Sequence, residues 1–379
     1  MRESRDPLLS AHGKMGPGSR SPRANARGSL GRDDSQSKSA PQVVAALWAA
    51  LILFAAPTHL AAQTVEDFYR GKTINLIIGY GVGGGYDVYG RLLAHHIGKH
   101  IPGNPNIVPQ NMTGAGSLRA AQYLYSVAPK DGTVIGTFGR TIVTTPLLTP
   151  AAPQFDGTKF AWLGSVTNEV SMCVTWHSSP VKKWDDILTH QITLGGEGPG
   201  ADPDIYSLLY KNVFGAKIRL ITGYSGTNDI TLAMERGEVE GLCGLSWSTL
   251  KSRHPKWMKE NTINIINQAA LKKQPELPDI PLASELTQDP EKLQIIKLFL
   301  ATQETARPFA APPGIPADRK AALLAAFDET MKDIDFRVEA NKLDIDINPL
   351  DGKAMDQIVR DLYATPKAIL EKAAQAVSK

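Results

Sequence analysis

From Thr73 onward, short apolar runs alternate with segments whose apolar positions recur at helical spacing, and glycine marks each junction. TINLIIGY reads as a buried strand, and Val88, Leu92, Leu93 and Ile97 then share one face of a helix over residues 87–100, with Asp87 as its N-cap. NIVPQ (strand), NMTGAGS (turn), SLRAAQYLYSV (helix), PKDG (turn) and TVIGTF (strand) complete a β-α-β-α-β order. That order predicts parallel strands joined by right-handed crossovers. All three strands then end on one edge, which gathers the loops 81–85, 112–116 and 139–144.

The pattern returns without repeating the sequence: ITLGG, EGPGADP, DIYSLLYKNVFG, KIRLITGY, SGTND, ITLAMERGEV and EGLCGLSW read as a second α/β unit. Its strand-end loops are 195–201, 224–227 and 246–248. FAWLGSVTNEVSMCVTW and IIKLFLATQETARPFAAPPG are each long enough to cross between the units, and residues 317–377 read as a helical tail that packs back on the first. The boundaries follow: residues 63–166 with 302–379 form one lobe and 167–301 the other. Open α/β sheets bind ligands beyond the carboxyl ends of their strands, so two facing lobes share one cleft.

Ahead of this pattern lie 40 polar residues and then PQVVAALWAALILFAAPTHLAA, an apolar core ending in small residues. That is the form of an export signal with cleavage near Ala62. A retained anchor is the rival, but Pro57 and His59 cut the apolar run short of the roughly 18 residues a span needs. The leader, 1–62, carries eight Lys/Arg and four acids, so the formal charge of +3 belongs to it and falls to −1 without it. A near-neutral chain without basic runs gives no reason to expect nucleic acid. The two cysteines, Cys173 and Cys243, leave two readings open in an exported chain: one disulfide, or two separately buried thiols.

Gly79, Gly81 and Gly84 spell G-x-G-x-x-G, yet no Asp or Glu lies between Asp87 and Asp131 to hold a ribose, and no Gly-Lys-Ser/Thr follows the turn. Dinucleotide and P-loop readings fail together. Ser179 to Lys182 match S-x-x-K without the companion S-D-N and K-T-G motifs. His96 and His100, one turn apart, lack the Glu of a zincin pattern and read as a solvated helix face. Trp162, Trp176, Trp184 and Trp257 read as packing, and Trp247 stands at a strand end facing the cleft. What remains is a set of glycine-rich loops, each placed before a helix, whose free N–H groups suit anions.

These residues carry a family likeness. GYGVGGGYDVYGRLLAHHIG, NMTGAGS, ITGYSGTNDITLAMERGEVEG and APPGIPADRKAALLAAFDETMKD resemble the Bug solute-binding proteins, the extracytoplasmic receptors of tripartite tricarboxylate transporters. The resemblance implies an α/β type II periplasmic-binding-protein fold, a Venus flytrap of two lobes with two interlobe crossings and a helical C-terminal tail. The expected function is that of a periplasmic monomer, without cofactor, that takes a small organic solute to membrane transport subunits; catalysis is not expected, because no nucleophile–base pair or metal-ligand set emerges along the chain. In that family a carboxylate is held by the loop after the first strand and by a glycine/hydroxyl loop of the second lobe, here residues 80–87 and 195–202.

The expected ligand-binding set is therefore Tyr80, Gly81, Gly83, Gly84, Gly85 and Asp87 from the first loop and Gly198, Pro199, Gly200, Ala201 and Asp202 from the second. Arg140 and Thr141, past the third strand, and Tyr224, Gly226, Ser246 and Trp247 complete it, with Arg140 the one cation expected at the cleft. The second loop departs from the family pattern, because GGEGPGADPD carries Glu197, Asp202 and Asp204. Asp202 before Pro203 reads as an N-cap. Glu197 has no such role, and its charge favours an amino acid, amide or other neutral or zwitterionic solute over a citrate-like one. A sensor that hands its ligand-bound form to a membrane kinase, and an exported enzyme on the same fold, are the competing functions.

Overall fold

Eleven strands sort into two sheets in the computed structural model, which describes residues 63–149 and 155–378. The leader and its cleavage site lie outside the described residues. The first sheet has the order β11-β4-β10-β3-β1-β2, built from β1 (Thr73–Ile78), β2 (Asn106–Asn111), β3 (Val134–Thr137), β4 (Ala161–Ser165), β10 (Pro308–Ala311) and β11 (Leu350–Asp351). β1 pairs in parallel with both β2 and β3, as the alternation of runs and helices predicts. Pro109 sits in β2, the edge strand, where its missing N–H breaks no further pairing.

The second sheet runs β7-β6-β8-β5-β9, with β5 (Ser171–Trp176), β6 (Ile192–Gly196), β7 (Ile218–Thr222), β8 (Gly241–Ser246) and β9 (Ile263–Ala269). β6 is parallel to β7 and β8, whereas β5 lies antiparallel to β8 and β9. Cys173 and Cys243 oppose each other across β5 and β8 and are joined as a disulfide. The segments read as crossings are themselves strands: β4 leads through 166–170 into β5, and the helix Pro290–Ala301 leads through 302–307 into β10. The chain therefore passes twice between two α/β lobes.

Three apolar clusters hold this arrangement. One packs β1 against the helix Gly85–Ile97 and the tail helices Ala317–Lys332 and Ile334–Lys342; a second gathers Met172, Val174, Ile230, Leu242 and Trp257; a third runs from Ile77 and Leu124 through Trp162 to Tyr206 and Phe299. Trp162, Trp184 and Trp257 are buried in these cores, and Trp176 packs edge-on against Trp257.

The tail also reaches the second lobe. Its last helix, Lys367–Ala376, also packs on the second-lobe helix Asp202–Phe214, where Asn212 Nδ2 donates to the Ala376 carbonyl at 3.1 Å. The solvated-face reading of the histidines is also corrected. His96 is buried and meets Glu339 at 2.8 Å, and His100 meets Asp333 at 2.8 Å, because the tail helix covers that face.

Candidate functional site

Where the lobes meet, a cavity of about 20 Å³, the space of roughly one water molecule, is lined by Tyr80, Gly85, Tyr86, Arg140, Glu197, Asp202, Pro203, Thr227, Gly244, Ser246, Thr249 and Arg307. Both sheets contribute: Tyr80 follows β1, Arg140 follows β3, Glu197 follows β6, and Ser246 ends β8. Of the residues expected from sequence, Tyr80, Gly85, Arg140, Asp202 and Ser246 are brought together here.

Arg140 organises the floor. It is 1% exposed, its Nη2 donates to Ser171 Oγ at 2.5 Å and pairs with the Asp202 carboxylate, and its Nε and Nη1 have no partner. A buried guanidinium with two unused donors is costly unless something accepts from them. Asp202 is the first residue of its helix rather than the N-cap, a position taken by Ala201, and its carboxylate reaches across the seam instead of back to the helix. Arg307 is a second cation at the cavity, contrary to the expectation of one: it lies over the Tyr86 ring at 4.6 Å and pairs with Glu169 at 3.4 Å. Tyr80 and Tyr86 stack at 4.6 Å, and Tyr86 Oη accepts from the Arg140 backbone N–H at 3.0 Å.

Glu197, 6% exposed, accepts from Thr227 Oγ1 at 2.9 Å and has no ion-pair partner among the described residues. Burial, aided by Asp204 and Asp202, pushes its carboxyl up to about 8 against the opposing pull of Arg140.

Several expected residues have other work. Asp87 does not line the cavity, because its carboxylate is consumed by Arg91 at 2.9 Å, Asn111 at 2.8 Å and the Gly83 N–H at 2.9 Å. Nor is it the N-cap, since the helix starts at Gly85 after Gly84. Gly83 and Gly84 are turn formers: Gly83 has φ +85°, and a Cβ on Gly84 would meet only the Gly81 carbonyl, at 3.7 Å. Neither touches the cavity.

Gly81, Gly198 and Gly226 lie instead at backbone-to-backbone contacts between the lobes. The Gly81 N–H donates to the Ser225 carbonyl at 3.1 Å, a Cβ on Gly226 would stand 3.3 Å from Gly81 N, and one on Gly198 would stand 2.8 Å from Gly116 N. The facing turn 114–117 has positive φ throughout, including Ala115 and Ser117, so strain is held where the backbones approach. Ala201 packs against Gly116 there, and Thr141 Oγ1 donates to the Gly200 carbonyl and, at 3.2 Å, to Asp202. Pro199 and Gly200 line a separate cavity of about 400 Å³ with Thr144 and Leu208. Trp247 is turned away and lines a different cavity with Glu169 and Asp346, and Tyr224 packs on the second-lobe core. Strand-end position placed these residues near the cleft but not their side chains in it.

No family model matches the chain. A Cupriavidus necator protein described as "UPF0065 protein in gbd 5'region" is 24% identical over 338 residues, 87% of this chain and 94% of that one. The periplasmic binding protein BugD superposes with a TM-score of 0.66 at 19% identity, covering 80% of this chain and 98% of its own. The Bug-family likeness holds. MatC from Rhodopseudomonas palustris, a structure with bound malate, gives a TM-score of 0.63 at 19% identity over 80% of this chain and 99% of its own. The two sheets and the double crossing are thus the two-lobed fold of these periplasmic binding proteins. No helix among the described residues is long and apolar enough to cross a membrane, and no group of three or more potential metal ligands occurs among them.

Proposed function

We propose that this chain is an extracytoplasmic solute-binding protein. It captures a small polar organic solute, a carboxylate or a related amino acid or amide, between a lobe of residues 63–166 with 302–379 and a lobe of 167–301. It delivers that solute from the periplasm to membrane subunits of a tripartite tricarboxylate-type transporter, binds it as a monomer, and does not transform it. The observation that carries this reading is the buried Arg140, which lines a cavity walled by both lobes and whose Nε and Nη1 lack acceptors. An incoming carboxylate or amide oxygen satisfies those donors, and a contact made from two lobes at once couples binding to closure. The cavity holds about 20 Å³, so a solute of malate's size enters only as the seam parts. The malate bound by MatC and the disulfide, which suits an oxidising compartment, support the reading.

A thermal-shift screen of carboxylates, amino acids and amides tests it, on protein that native mass spectrometry shows to be ligand-free. A ligand at 100 times its Kd adds about 2.7 kcal/mol, a rise of several degrees. Arg140→Gln lowers affinity at least tenfold, and more for an acid than for its amide. Stabilisation by nicotinamide cofactors with none from these solutes would sink the proposal.

A further inference from the structure

The cavity's charges do not match a simple dicarboxylate. Two cations face it, Arg140 and Arg307, and the second is already paired with Glu169. Arg140 is shared with Asp202, which leaves Glu197 as a buried acid with only the Thr227 hydroxyl for company. The ionisable groups around Glu197 are Asp204 and Asp202 from the helix Asp202–Phe214, Arg140 from beyond β3, and Tyr80 from beyond β1. A second ligand carboxylate set beside Glu197 is tolerated only while that acid keeps its proton, and it meets Asp202 and Asp204 in a site with little water to screen them.

We infer that the cleft selects a solute bearing an ammonium group beside its carboxylate, with Glu197 accepting from the ammonium and the free edge of Arg140 donating to the carboxylate. This rests on the solute-binding reading above and names its ligand class. Both recognition groups are more than nine-tenths buried, come from opposite lobes and line one cavity, so a zwitterion joins the lobes by two charge-assisted contacts of opposite sign. Because burial holds Glu197 protonated at neutral pH, an arriving ammonium ionises it, and binding releases a proton. A dicarboxylate uses the protonated acid as a donor instead, and above neutral pH its binding takes up a proton.

The test compares aspartate with succinate, glutamate with glutarate, and alanine with propionate by titration calorimetry in two buffers of different ionisation enthalpy. In at least one pair the amino member binds at least tenfold more tightly and releases protons at pH 7. Glu197→Gln costs that member at least tenfold while moving its deaminated partner less than about threefold, or about 0.65 kcal/mol. The proton release is read on the unaltered protein, so it stands even if the variant folds poorly. Equal or tighter binding of the deaminated members, a preference that survives Glu197→Gln, or binding without proton release overturns the inference and leaves the solute-binding reading intact. If no member of any pair binds, and the wider screen is also silent, both fall.

Discussion

The two glycine-rich loops, 80–87 in the first lobe and 195–202 in the second, look alike in sequence but divide their labour differently. In each, an aspartate of the following helix turns back and takes the loop's own N–H groups. Asp87 accepts from Gly83, and Asp204 accepts from Glu197 and Gly198 at 2.7 and 2.8 Å. The anion held by these loop N–H groups is the chain's own carboxylate, while neither helix has a side-chain cap. The first loop then offers the cavity neutral surface, Tyr80, Gly85 and Tyr86, whereas the second offers two acids, Glu197 and Asp202. A glycine-rich loop between a strand and a helix is therefore not by itself a free anion site, and specificity passes to the side chains left over.

The sharpest way to break this contrast is pH. Glu197 titrates near 8 in the fold against an ordinary 4.5, so its contribution to stability is fully present below about 4.5 and is lost as pH rises through about 8. Glu197→Gln has no such loss. In denaturant titrations without ligand, its stability relative to the natural protein should climb by about 1.4 kcal/mol per pH unit between those limits. A constant difference would mean that Glu197 is ionised throughout, and the asymmetry between the loops would vanish.

Next in size are the two aspartates that hold the loop N–H groups. Asp204 is 1% exposed and also accepts from Thr222 at 2.6 Å, so Asp204→Ala leaves three donors without their carboxylate and should cost about 3 kcal/mol. Asp87→Ala frees the Gly83 N–H, leaves the Asn111 amide its bond to the Tyr80 carbonyl at 2.8 Å, and releases Arg91, which is 39% exposed and can turn to water, so about 2 kcal/mol is expected. Equal losses in urea unfolding would show the two loops to be energetically interchangeable.

Much of this was legible beforehand. The parallel trios β1–β3 and β6–β8 were readable because each strand is an apolar run closed by glycine and followed by a helical period. β4 and β10 were not, since AWLGS and PFAA sit inside segments read as crossings between the lobes, and the antiparallel pairing of β4, β5 and β10 is set by tertiary neighbours. β9 was missed because INIINQA mixes polar and apolar positions, and its buried Asn267 and Gln268 bond to Tyr210 and the Leu277 carbonyl, which the local pattern does not record. Within the site, Glu197 stood out by charge, while Arg307 did not, because nothing local in TARPFAA says that it will turn toward Tyr86 and Glu169. The second role of Asp87 and Asp204 depends on where the loop N–H groups point, which side-chain spacing does not record.

The smallest effect separates glycines that shape a loop from glycines that let the lobes meet. Gly83 has φ +85°, and a Cβ there meets only Arg253 Nη2, at 3.3 Å, so Gly83→Ala strains the turn by about 1 kcal/mol without entering the cavity. Affinity for the solute found by the screen should stay within about twofold, a difference of about 0.4 kcal/mol. Gly198→Ala places a Cβ 2.8 Å from Gly116 N across the seam, where closure requires backbone against backbone, and affinity should fall about tenfold, or 1.4 kcal/mol. Unfolding curves and titrations on the two variants separate the roles. If Gly83→Ala loses affinity as Gly198→Ala does, the first loop touches the solute after all, and the division between a neutral first loop and an acidic second one must be redrawn.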